Sequence, residues 1–150
     1  VKTVVSLTHM IGSDMVKSAN GKMLHVSSTA GFSPGPLQAV YFATKAFVTS
    51  FSQAIDQELR TKGVTSTALC PGGVATEFFE RANLQDTRLG QGKGAFASAE
   101  SCAKFGYDAM TQGKLVAVNK KSFSFMVNWI TPLLPRRLVL KMIASMQSIP

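Results

Sequence analysis

Ser27 and Ser28 end a short apolar run, Tyr41 comes 13 residues after Ser28, and Lys45 comes four after that. Residues four apart on a helix are neighbours, so a helix through this stretch sets a phenol beside an ammonium. An unperturbed phenol titrates at about pH 10, and a nearby cation favours its ionised form. A serine hydroxyl close by can hold a substrate oxygen. The three groups then make a proton relay suited to interconverting a carbonyl and an alcohol. The plainer alternative is an exposed Tyr/Lys pair on a helix surface and two serines that merely end a strand. The elements around them have to decide.

The Asn20-Gly21 turn signal precedes Lys22–Ser28, which reads as a short buried strand. Beyond a Gly/Pro-rich loop, apolar residues fall at helical spacing at Ala39, Phe42, Ala46, Ala54 and Leu59, with Val48, Phe51 and Ile55 widening the stripe. Gly63 ends this helix after the basic residues Arg60 and Lys62. Val64–Cys70 is rich in β-branched residues, stops at Pro71-Gly72 and reads as the next strand. Strand, loop, helix and strand make a βαβ unit, hence a parallel sheet with a right-handed crossover. In such sheets ligands sit beyond the carboxyl ends of the strands, where Ser28 and Pro71-Gly72-Gly73 fall. Upstream, Val1 to about Lys17 reads as helix. Downstream, Glu77–Phe96 lacks clean periodicity and reads as a mobile excursion with short helical pieces. Ser98 is placed to cap a helix running to about Gln112, with Glu100 in its first turn. Lys114–Asn119 reads as a third strand, and residues 122–147 as two amphipathic helices broken at Thr131-Pro132 and Pro135.

The bulk numbers fit one globular domain: 150 residues, 45% of them apolar. No stretch reaches the roughly 18 uninterrupted apolar residues of a membrane-spanning helix. Cys70 and Cys102 are expected as free thiols in a reducing, cytoplasmic setting. The net charge of +8 is scattered rather than gathered with aromatics, which argues against a nucleic-acid surface. Two histidines far from acidic clusters give no zinc site. No Gly-x-Ser-x-Gly elbow supports a hydrolase. His25 reads as a packed or hydrogen-bonded histidine, His9 as a helix-surface residue, and Ser27 as structural. Gly90–Gly94 (GQGKG) echoes a phosphate-binding loop but neither follows a strand nor opens a βαβ unit. The tail carries Arg136, Arg137 and Lys141, which leaves core-completing helices, a subunit contact or a peripheral membrane contact as its readings.

Together these segments resemble the C-terminal part of a classical short-chain dehydrogenase/reductase. The likeness rests on GKMLHVSSTAG ending in Ser28, on Tyr41-Phe-Ala-Thr-Lys45-Ala, on the Ser28-to-Tyr41 spacing, and on Cys70-Pro-Gly-Gly-Val-Ala-Thr76. It covers nearly the whole chain and is least specific after Asn119. It implies an α/β, Rossmann-type doubly wound parallel sheet, with residues 1–150 as the C-terminal part of one domain, 77–96 as a substrate lid and 122–150 as a helical tail. It implies a Ser28, Tyr41 and Lys45 relay, in which Tyr41 is the general acid/base, Lys45 favours its ionised form and holds the nicotinamide ribose, and Ser28 orients the substrate oxygen. Tyr41, Lys45, Pro71, Gly72, Val74 and Thr76 would contact the cofactor, NADP or NAD with NADP favoured. The partners implied are a small carbonyl or alcohol substrate and further copies of the chain, and no metal is called for. The family's glycine-rich pyrophosphate turn and its fourth catalytic residue, an Asn, have no counterpart here. The expectation is therefore a piece of a longer polypeptide, with Lys22–Ser27 left as a sheet edge. Expressed alone, such a piece is expected to be poorly soluble and unable to turn over NADPH. A non-catalytic remnant acting through subunit, partner or membrane contacts is the alternative. A sugar-nucleotide epimerase fits less well, because the serine spacing and the Pro-Gly segment are of the classical type.

Overall fold

The computed structural model describes residues 1–92 and 96–149. Helix α1 (Lys2–Lys17) leads into strand β1 (Gly21–Val26), which pairs in parallel with β2 (Val64–Leu69), Gly21 opposite Val64 and Val26 opposite Leu69. Between them runs α2 (Ala39–Leu59), extended by a 3-10 turn over Arg60–Lys62. Gly63 then takes a left-handed φ of 77°, and a Cβ there would lie 2.1 Å from Ala19 O. Only glycine fits such a close, left-handed exit.

The chain next forms β3 (Val74–Ala75), the short helices α3 (Phe78–Arg81) and α4 (Arg88–Gln91), and β4 (Ala97–Ser98). Helix α5 (Ala99–Thr111) starts at Ser98, whose hydroxyl accepts from Ser101 N, the predicted cap. Strand β5 is only Val116–Ala117, shorter than the predicted Lys114–Asn119, and pairs with β2 in parallel. The main sheet runs β1-β2-β5. The tail is α6 (Lys121–Phe125), a π-helical turn over Met126–Ile130, a 3-10 turn over Thr131–Leu133, and α7 (Arg136–Gln147).

Helices cover both faces of the sheet. Leu69, Cys102, Ala109 and Ala117 form the core under α5, with Leu24, Val74 and Phe105 against them. On the other face α1 and α2 meet Met23, His25, Ser27, Ser66 and Cys70. The predicted stripe on α2 holds at Phe42 and Val48 and is corrected at its alanines. Ala39 and Ala54 are exposed, and the buried residues are Phe42, Val48, Thr49, Ser52 and Asp56. The inner face is largely polar because each polar group has a partner on the sheet. Thr49 Oγ1 and Ser27 Oγ lie 2.6 Å apart, Ser52 Oγ and Ser66 Oγ 2.8 Å. Asp56 Oδ1 accepts from Ser66 N at 2.9 Å, and both its oxygens accept from Arg60 at 2.8 and 2.9 Å. Small hydroxyls let α2 approach the strands closely, and satisfied polar groups carry little burial cost.

Candidate active site

The candidate groups gather where the parallel strands end. The ladder continues past β1 and β2: Ser27 N donates to Leu69 O at 2.7 Å and Thr29 N to Pro71 O at 2.9 Å. Ser28 is thereby set beside the Cys70-Pro71 segment. Its hydroxyl accepts from Ala30 N at 3.1 Å and caps the 3-10 turn Thr29–Phe32. An accepting hydroxyl keeps its own proton to give.

Lys45 is held from two directions. Its ammonium donates to Val26 O at 3.1 Å, and its own carbonyl accepts from Ser27 Oγ at 2.8 Å. Burial lowers its pKa, and the charge of Cys70 beside it opposes that shift. The ammonium lies 5.8 Å from the centre of the Tyr41 ring, so the helix brings these two side chains together as the spacing predicts. Gly31 permits this packing: a Cβ there would lie 2.6 Å from Thr49 Oγ1 and 2.8 Å from Lys45 O. Burial pushes the Cys70 thiol up, against hydrogen bonds from Thr49 and Ser27 and the Lys45 charge.

Pro71, Gly72 and Gly73 follow β2 as a turn. Gly72 N donates to Asn119 Oδ1 at 3.1 Å, which ties this turn to the end of β5. Asn119 Nδ2 is buried without a partner. Sequence reasoning passed over Asn119; its only signal is an Asn just past a strand. Val74 lies in β3, and Thr76 Oγ1 accepts from Phe78 N at 3.3 Å. The base of the 77–96 excursion is closed by the β3–β4 pair and by Ala97 N donating to Gly73 O at 3.0 Å, a ladder the aperiodic sequence did not predict. The excursion turns aromatic faces to the site. Phe78 lies 5.4 Å from the Tyr41 ring, and Phe79 stacks on Phe96 at 4.6 Å. Of the glycine run at Gly90–Gly94, Lys93 and Gly94 lie outside the described residues; Gly90 is buried in α4. Among the described residues no cluster of His, Cys, Asp and Glu could hold a metal.

A cavity of about 560 Å³ lies along another side of α2, between Phe32, Pro36, Phe42, Ala46 and Leu140. It includes neither Ser28 nor Tyr41 nor Lys45.

A family model described as short chain dehydrogenase matches residues 1–87, more than half the chain. The protein belongs to the short-chain dehydrogenase family. Over 146 residues it is 30% identical to the very-long-chain 3-oxoacyl-CoA reductase of Macaca fascicularis, covering 97% of this chain and 44% of that protein. A 7β-hydroxysteroid dehydrogenase shares its fold at a TM-score of 0.79 and 22% identity, over 97% of this chain and 56% of the other. A short-chain dehydrogenase from Sphingobium yanoikuyae, solved with NADPH, superposes at 0.73 with 22% identity, over 83% and 47%. The chain thus spans about half the length of these relatives. The fold is the Rossmann-type parallel α/β sheet that the βαβ pattern and the family likeness predict.

Proposed function

We propose that the protein is an NAD(P)-dependent oxidoreductase that interconverts a carbonyl and an alcohol through Ser28, Tyr41 and Lys45. The observation that carries this reading is the clamp on Lys45. Val26 O and Ser27 Oγ fix its head and its backbone, which keeps the ammonium beside the Tyr41 ring. Ser28, with its proton free to give, donates to the substrate oxygen and orients it. Tyr41 gives that oxygen its proton as charge develops there, and the Lys45 cation stabilises the phenolate left behind. Oxidation runs the same transfers backwards.

The residues present fit the nicotinamide end of a dinucleotide. Lys45 has donors beyond the one spent on Val26 O, the Pro71–Gly73 turn exposes backbone, and Val74 and Thr76 flank it. NADP or NAD, when bound, supplies or accepts the hydride at the reacting carbon. The aromatic edge formed by Phe78, Phe79 and Phe96 favours a carbonyl on an apolar body, and the similarity to a 3-oxoacyl-CoA reductase supports a 3-oxoacyl thioester as the first substrate to try. Incubating the full-length protein that carries this sequence with NADPH deuterated at the transferable position and such a thioester tests this reading. The expected result is one deuterium on the new carbinol carbon. Cofactor left undepleted across a panel of apolar ketones would overturn it.

A further inference from the structure

The tail carries an amphipathic surface that the catalytic reading does not use. Asp108 is the last acidic residue of the chain; the 42 residues after it (109–150) carry Lys114, Lys120, Lys121, Arg136, Arg137 and Lys141 and no Asp or Glu. On this one-signed segment the large apolar side chains point outward. Phe125, Met126, Trp129, Ile130 and Leu133 are 60%, 39%, 68%, 42% and 85% exposed, and their spacing places them on one arc of the continuous helical stretch from α6 through the π-helical turn. On α7, Leu138, Met142 and Met146 recur every four residues and are also exposed, while Val139 and Gln147 face inward. The exposed Arg137 and Lys141 border that stripe, and Lys121 borders the first one. The second helix is fixed to the body of the protein, since Arg88 Nη1 donates to Ser145 Oγ at 2.6 Å and Gln38 Nε2 to Gln147 Oε1 at 2.5 Å.

Two outward apolar stripes on a segment whose charged side chains are all cationic are what an anionic lipid surface accepts: side chains in the acyl boundary, ammonium and guanidinium groups at the phosphates. No helix among the described residues is long and apolar enough to cross a membrane. We propose that residues 121–149 form a peripheral docking surface for an anionic bilayer, with Trp129 and Leu133 entering the interface and Arg136, Arg137 and Lys141 at the headgroups. A second copy of this chain is disfavoured as the occupant, because copying this surface would oppose like charges with no acid to neutralise them. The proposal stands whether or not the oxidoreductase reading holds.

Trp129 is the single tryptophan of this sequence, and the emission lost in a Trp129→Phe variant is the part that reports on this surface. The purified protein is titrated with vesicles of phosphatidylcholine alone and of phosphatidylcholine with phosphatidylserine, with co-sedimentation run in parallel. Docking predicts a blue-shifted Trp129 emission and co-sedimentation with the serine-lipid vesicles, both weakened by salt. One basic side chain near an anionic surface contributes roughly a fivefold factor, so the Arg136→Gln/Arg137→Gln double variant is expected to bind about 30-fold more weakly. Leu133→Ser, at a side chain too exposed to matter for folding, is expected to weaken binding while leaving far-UV circular dichroism unchanged. No emission shift with anionic vesicles, or undiminished binding by the arginine double variant, would overturn the proposal. So would an emission shift that follows protein concentration without lipid, which would assign the surface to a second copy.

Discussion

His25 shows how far a single side chain can be read. Its Nε2 lies 2.9 Å from Thr8 Oγ1 and its Nδ1 3.0 Å from Ser66 Oγ, so the ring joins α1 to β2 across β1. Its edge packs 5.9 Å from the Phe51 ring. Burial pushes its pKa below the ordinary histidine range. The unfolded chain therefore holds a proton that the folded one has shed. Stability from this group is present above about pH 6.5 and falls as the pH drops from there through the lowered folded value. Thermal unfolding followed from pH 7.5 to 5 should show a falling melting temperature, and His25→Gln should flatten that slope. An unchanged slope would mean that other groups govern the acid side.

At the scale of elements, what was legible is what repeats or stops abruptly. Gly63, Ser98 and the Pro71-Gly72 stop marked their element ends, and the Ser28, Tyr41 and Lys45 spacing marked the strand end and helix that hold them. The inner face of α2 was legible only in part. Apolar periodicity finds Phe42 and Val48 but also points to alanines that prove exposed, and it misses Thr49, Ser52 and Asp56, which are buried against Ser27 and Ser66. Asn119 escaped for the same reason: its partner, Gly72, lies 47 residues earlier. The β3–β4 ladder is two residues long, too short for any period to show. Close packing of the turn after β1 on α2 gives the prediction at this scale. Gly31→Ala would push a methyl into Thr49 Oγ1 and Lys45 O. Overpacking of this kind costs about 1–3 kcal/mol, and here it also displaces Lys45. Chemical denaturation should show that loss, and a variant as stable as the parent would mean that the turn shifts freely.

At the scale of the whole molecule, apolar surface remains on the α1 side. Leu7, Met10 and Ile11 are 49%, 65% and 50% exposed, as is Val40 of α2 at 78%, and β1 has a sheet neighbour on one edge only among the described strands. Unpaired edges and exposed apolar helix faces invite association. This face is the expected site of association. Light scattering on Ile11→Glu should report a smaller particle than the parent protein, and an unchanged mass would place the contact elsewhere.

Removing the Tyr41 hydroxyl tests most directly whether Tyr41 transfers the proton. Phenylalanine keeps the ring packed against Phe78 and under the Lys45 ammonium while removing only the hydroxyl. The measurement is turnover and NADPH affinity of Tyr41→Phe beside the parent, in the full-length protein that carries this sequence. The expected result is a fall in kcat of about 10²–10⁴-fold, the range for a lost general acid/base, with NADPH affinity nearly unchanged. Parent-like turnover in the variant would contradict it and leave the strand-end cluster a structural inheritance without its chemistry.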